Sequence, residues 1–218
     1  MAFSILILVI CGIIFTFLSF GLMALSYSKT GSAKYSPLSC FPFELNQFKR
    51  DQKRSWGLET AFLIGVLCFV FAAAFFIVKN HTKSMAYLIG ILFIVDIVVF
   101  HVLFFIKLSN YKLHLIFAII FYLLTFLIYL VEIFIFTNPY SAGFIVSNKV
   151  LIWIFTIIGI IFMLIIALNP SYKNWSKMVK VDAQTFYRPK YNYLAGLEWG
   201  SFLAYIISFI PLITAAFG

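Results

Sequence analysis

Residues 113–137 read LHLIFAIIFYLLTFLIYLVEIFIFT, and this stretch decides the fold. It holds one acid, Glu132, one histidine, His114, two tyrosines and two threonines; everything else is apolar. A membrane crossing needs about 20 mostly apolar residues in a helix, and this run is long enough. His114, Ala118, Tyr122, Thr125, Tyr129 and Glu132 follow a 4-4-3-4-3 spacing. Helical geometry keeps all of them within an arc of about 80°. The remaining faces are Leu, Ile, Phe and Val. A helix with one polar stripe along its whole length cannot be surrounded by acyl chains, so the stripe must turn toward other helices of the same bundle.

Those helices are present on either side. Apolar stretches of crossing length occupy residues 3–26, 59–79, 85–107, 113–137, 147–168 and 193–217. The expectation is an all-α, polytopic bundle of six transmembrane helices forming a single domain over residues 1–218. Residues 80–84 and 108–112 are tight turns, which makes the second, third and fourth spans antiparallel neighbours. The breaker cluster Asn138-Pro139-Tyr140-Ser141-Ala142-Gly143 ends the fourth. Pro211 removes a backbone bond in the sixth and kinks it. The first run lacks a basic n-region and a small-residue cleavage site, so it reads as a mature helix rather than a signal peptide.

Composition agrees. Of 218 residues, 64% are hydrophobic and only 11% charged, with 28 phenylalanines; mean hydropathy is +1.06. A soluble domain carries about a quarter charged residues. The net charge of +9 would point to nucleic acid in a soluble protein, but here the basic residues lie between apolar runs and no nucleic-acid module accompanies them. Cys11, Cys40 and Cys68 are scattered and match neither a disulfide framework nor a zinc site.

Thirteen of the sixteen Lys and Arg residues fall in the loops after the first, third and fifth spans. The positive-inside rule therefore puts loops 27–58 and 169–192 in the cytoplasm and both termini outside. Within those loops, Lys49, Arg50, Lys53 and Arg54 form a basic cluster. Lys173, Lys177 and Lys180 share one face of an amphipathic segment whose other face holds Trp175, Met178, Val179 and Phe186. Both are candidate contacts for anionic lipid headgroups, besides setting topology. Gly57-Leu58-Glu59 and Gly196-Leu197-Glu198 open the second and sixth spans alike, an echo short enough to arise by chance.

Ionisable groups inside a span are expensive and need a reason. Asp96 lies halfway along the third span, and His101 sits about 140° round the helix from it. The sixth span repeats the polar stripe with Glu198, Ser201, Tyr205 and Ser208; the first adds Gly12, Thr16, Ser19, Met23 and Ser26. The first, fourth and sixth spans are therefore expected to meet around a shared polar seam built from Asp96, His101, His114, Tyr122, Thr125, Tyr129, Glu132, Glu198, Ser201 and Tyr205. The seam supports two readings. As a proton or ion route, His114 and Glu132 would mark its ends, with hydroxyls between them. As packing, the same groups would hydrogen-bond across helices.

No H-E-x-x-H, G-x-S-x-G, P-loop or G-x-G-x-x-G occurs, and no cofactor or metal signature. The sequence-level expectation is a non-enzymatic bacterial protein of the cytoplasmic membrane, an accessory or immunity-type protein acting through membrane partners or as a homo-oligomer. The second reading is a small transporter or channel, proton-coupled through Asp96, Glu132 and His114.

Overall fold

The computed structural model describes residues 1–30, 35–47, 56–106, 110–137, 149–170 and 191–217. In chain order the helices are α1 (Ala2–Thr30), α2 (Glu44–Gln47), α3 (Trp56–Lys79), α4 (Ser84–Phe105), α5 (Tyr111–Thr137), α6 (Lys149–Ala167), α7 (Tyr193–Ile207) and α8 (Phe209–Phe217). Among the described residues there is no strand. Six helical stretches are long and apolar enough to span a membrane: Ala2–Leu25, Glu59–Lys79, Ser84–Phe105, Lys112–Ile135, Val150–Ala167 and Tyr193–Phe217. A run crossing hydrocarbon would have to satisfy every backbone N–H and C=O within its own segment, which a helix does.

Successive spans pack side by side: α1 on α3, α3 on α4, α4 on α5, α5 on α6 and α6 on α7. The last helix, α8, touches α1, α3, α5 and α6 as well. The sixth span thus runs through the middle of an arc made by the other five. Its most apolar stretch is 61% buried, against 28–44% for the rest. The sequence accounts for this, since the sixth span is the least apolar and the richest in Gly, Ala and Ser. Those residues let backbones approach closely and gain little from facing lipid.

The small residues of α1 do not join the seam they were expected to share. Thr16, Ser19 and Met23 are buried, but the stripe docks on α3. A Cβ added to Gly65 would lie 2.6 Å from the Thr16 hydroxyl and 3.1 Å from the Gly12 carbonyl. One on Gly12 would meet the Phe69 ring at 2.8 Å. The backbone of α1 comes close to α3 at Gly65, and Gly12 and Thr16 of its small-residue face meet it there. What α1 presents to the sixth span is aromatic: Phe20 lies 5.1 Å from Phe202 and 5.6 Å from Trp199, ring centre to ring centre.

The turn between α3 and α4 is as tight as expected. Asn80 donates its amide to the Phe76 carbonyl at 3.1 Å and accepts from Lys83 Nζ at 3.2 Å. Partial burial, with Lys79 nearby, holds the Lys83 ammonium below the usual lysine range. At the same end of the bundle, Lys79 donates to the Ala216 carbonyl and ties α3 to the end of the sixth span. That span breaks at Ser208. Pro211 has no N–H for the Ile207 carbonyl and its ring crowds that oxygen. The Ser208 hydroxyl bonds back to the Tyr205 carbonyl at 2.6 Å.

One loop segment belongs to the core. Phe41, Phe43 and Leu45 are buried, because residues 35–47 fold back over the start of α7. Asn192 N–H donates to the Leu38 carbonyl at 2.7 Å, and the Asn192 side chain caps α7 by accepting from Leu194 N–H at 3.2 Å. The Trp199 indole donates to the Cys40 carbonyl at 3.3 Å.

Candidate functional site: a buried acidic centre above an open crevice

All six positions of the α5 stripe turn inward. His114, Thr125, Tyr129 and Glu132 are buried, and Ala118 and Tyr122 are partly so. At 1.5 Å per residue the stripe covers about 27 Å, close to the roughly 30 Å hydrocarbon thickness of a bilayer.

At mid-height α4 contributes Asp96, with no exposed surface. The Thr125 hydroxyl lies 2.9 Å from Asp96 Oδ2 and 3.0 Å from the Phe121 carbonyl. It has one hydrogen and can donate to only one of them at a time. Among the described residues, Asp96 Oδ1 has no hydrogen-bond partner, and neither does the hydroxyl of Tyr205, which α7 places in the same layer. Tyr129, one turn above Thr125, donates to the Ala204 carbonyl and so bolts α5 to α7.

Tyr129 also marks the crossing of α5 and α6, because any Cβ at Gly159 would fall inside its ring. Antiparallel register then sets Thr156 level with Glu132 one turn further on. Both are fully buried. Neither the two Glu132 oxygens nor the Thr156 hydroxyl has a hydrogen-bond partner among the described residues. Glu132 stands seven residues above Thr125, so the two acids are separated by about 10 Å along the helix axis, with Tyr129 between them.

Below Asp96 the seam is closed by rings. Phe100 lies 5.4 Å from Phe121, 5.3 Å from Phe202 and 5.2 Å from Tyr205. Beneath them is a hollow of about 50 Å³ with Phe43, Phe100, Phe121, His114, Tyr122 and Ser201 in its wall. That is space for a water or two. The Ser201 hydroxyl donates to the Glu198 carbonyl at 2.7 Å and sits 3.4 Å from the Tyr122 hydroxyl. A second, open crevice of about 330 Å³ lies alongside, between α5, α6 and α7. His114, Ala118, Tyr122 and Glu198 line both.

The expected seam is therefore assembled from α4, α5 and α7, with α6 closing its upper part. Asp96, Thr125, Tyr129 and Tyr205 come together in the centre, Glu132 stands above them, and His114, Tyr122, Glu198 and Ser201 gather below. His101 lies elsewhere. It stacks on Phe62 of α3 at 5.4 Å, on a different face of α4 from Asp96, as the 140° offset requires. The headgroup candidates Lys49, Arg50, Lys53, Arg54, Lys173, Lys177 and Lys180 lie outside the described residues. Among the described residues no group of three or more His, Cys, Asp or Glu side chains comes together as a metal site would require. Sequence reasoning missed Thr156 and also Phe43, which stands in the wall of the hollow with its ring centre 4.3 Å from that of His114. Thr156 is a lone hydroxyl in an apolar run three residues before Gly159, a small-residue pattern that marks a helix-facing side. No protein-family model, curated protein or solved structure matches this chain.

Proposed function

We propose that this chain is a small multi-pass protein of the bacterial cytoplasmic membrane that carries protons along the α5 seam, as a proton-coupled transporter or channel. Asp96 and Glu132 would be the proton-carrying groups, and Tyr129, Thr125, Tyr122 and His114 would complete the route. The observation that carries this reading is the incomplete pairing of two fully buried acids. Polar groups that serve only as glue between helices are expected to find partners, since each unsatisfied one is destabilising. An acid that must gain and lose a proton needs spare hydrogen-bonding capacity in each state, and intramembrane acids of this kind mark proton relays. Lys and Arg counts support an arrangement with the termini outside and the His114–Glu198 end facing the cytoplasm.

The accessory or immunity reading ranks below this one. It calls for a face that asks to be covered, and the first five spans present exposed Leu, Ile, Val or Phe outward in much the same way, as contact with lipid requires.

The test is reconstitution into liposomes loaded with a pH-sensitive dye, with a potassium gradient and valinomycin setting the potential. Wild-type protein acidifies or alkalinises the lumen faster than empty liposomes, and Asp96→Asn and Glu132→Gln abolish the difference while eluting as wild type on size exclusion. If both variants carry flux at the wild-type rate, the acids are not the route.

A further inference from the structure

We propose that the crevice between α5, α6 and α7 binds one acyl chain of a membrane amphiphile, with its hydrogen-bonding headgroup at the His114–Glu198 end and its chain running past Ile119 to Leu123. The inference does not rest on the proton reading. At about 330 Å³ the crevice is within the size range of small-molecule pockets. Its polarity is graded in the direction a lipid needs. His114 lies three residues into α5 and Glu198 five into α7, so both stand within about 8 Å of the helix ends. Leu123, at the other end, is about 13.5 Å deeper than His114, near the middle of a roughly 30 Å hydrocarbon core. The crevice therefore extends over one leaflet, polar at the interface and apolar toward the centre.

Access is sideways. Leu115, Ile119 and Leu123 belong to the outward surface of α5, being 40%, 49% and 63% exposed, so the crevice is continuous with the surface that would face hydrocarbon. The polar-to-apolar grading along the crevice matches a single amphiphile, with a headgroup at one end and a chain at the other. The crevice persists because Ala118 offers only a methyl between the large side chains of His114 and Tyr122, while the Tyr129–Gly159 crossing fixes the distance between α5 and α6 above it.

The test uses the full-length protein in phosphatidylcholine liposomes containing a fatty acid with a diazirine at its far end, photolysed and mapped by peptide mass spectrometry. Ordinary annular lipid labels outward residues according to exposure. Binding in the crevice enriches adducts at Ile119, Leu123 and Ala167 severalfold over Ile91 and Ile157, which are 53% and 46% exposed. Filling the crevice with Ala118→Leu removes that enrichment and leaves labelling at Ile91 unchanged. Should that variant fail to fold, Ile119→Trp on the outer rim, which requires no core repacking, has the same effect. A fatty alcohol with the same photoreactive group labels the crevice as the acid does, and the matching headless alkane does not. Uniform labelling, enrichment that survives both substitutions, or equal labelling by the alkane would each overturn the proposal.

Discussion

Replacing Glu132 with leucine, a residue of similar volume and no polar atoms, distinguishes a working acid from a structural one by the sign of its effect. In the folded bundle both Glu132 oxygens are buried without a hydrogen-bond partner among the described residues. Leaving a buried polar group unsatisfied costs about 1–3 kcal/mol. The unfolded reference state of a membrane protein is itself embedded in lipid, where interhelical hydrogen bonds average only about 0.6 kcal/mol, so the lower half of that range applies. Glu132→Leu is expected to stabilise the bundle by about 1–2 kcal/mol and to abolish proton flux, the trade-off typical of a site held for function. Glu132→Gln, still polar, loses flux without the gain in stability. The assay is reversible unfolding in mixed micelles titrated with dodecyl sulfate, followed by α-helical circular dichroism, alongside dye-reported flux in liposomes. A leucine variant that is destabilised by 1 kcal/mol or more (roughly what loss of a formed hydrogen bond costs) while flux continues would refute the reasoning. Glu132 would then be structural glue.

Other predictions rest on single contacts. Gly159→Ala drives a methyl into the Tyr129 ring and should destabilise the bundle by about 1–3 kcal/mol through overpacking. Tyr129→Ala should recover part of that loss, which a double-mutant cycle in the same unfolding assay reads as coupling. Tyr129→Phe removes only the hydroxyl that reaches Ala204; a loss of about 0.6–1.7 kcal/mol is expected, and no loss would mean the bond does not form in the membrane. For orientation, Thr82→Cys and Asn110→Cys, both exposed, are placed in a background with Cys11, Cys40 and Cys68 replaced. A membrane-impermeant maleimide added to intact cells should label the first and not the second, and the reverse pattern would invert the topology.

The sequence by itself determined that the chain builds six membrane-length helices and which side of the fourth and sixth is polar. Those properties depend on local quantities, namely the length of an apolar run and the angular position of residues spaced three and four apart. The inward turn of His114, Thr125, Tyr129 and Glu132 along one helix was legible for that reason. Which polar faces meet was not legible. Gly12, Thr16 and Ser19 of α1 form as good a stripe as any, yet Gly12 and Thr16 dock on Gly65 because close backbone approach depends on a matching gap in another helix. Asp96 and Thr125 are 29 residues apart in sequence, and nothing along either helix says they share a hydrogen bond. The folding back of residues 35–47 over α7 was hidden for a similar reason. Phe41 and Phe43 are too few to form a span, and their burial depends on a surface supplied by Ile166, Leu194, Ala195 and Leu197, far along the chain. Only the tertiary structure decided that the two acids are stacked in one seam, that their oxygens are left short of partners, and that a crevice opens below them.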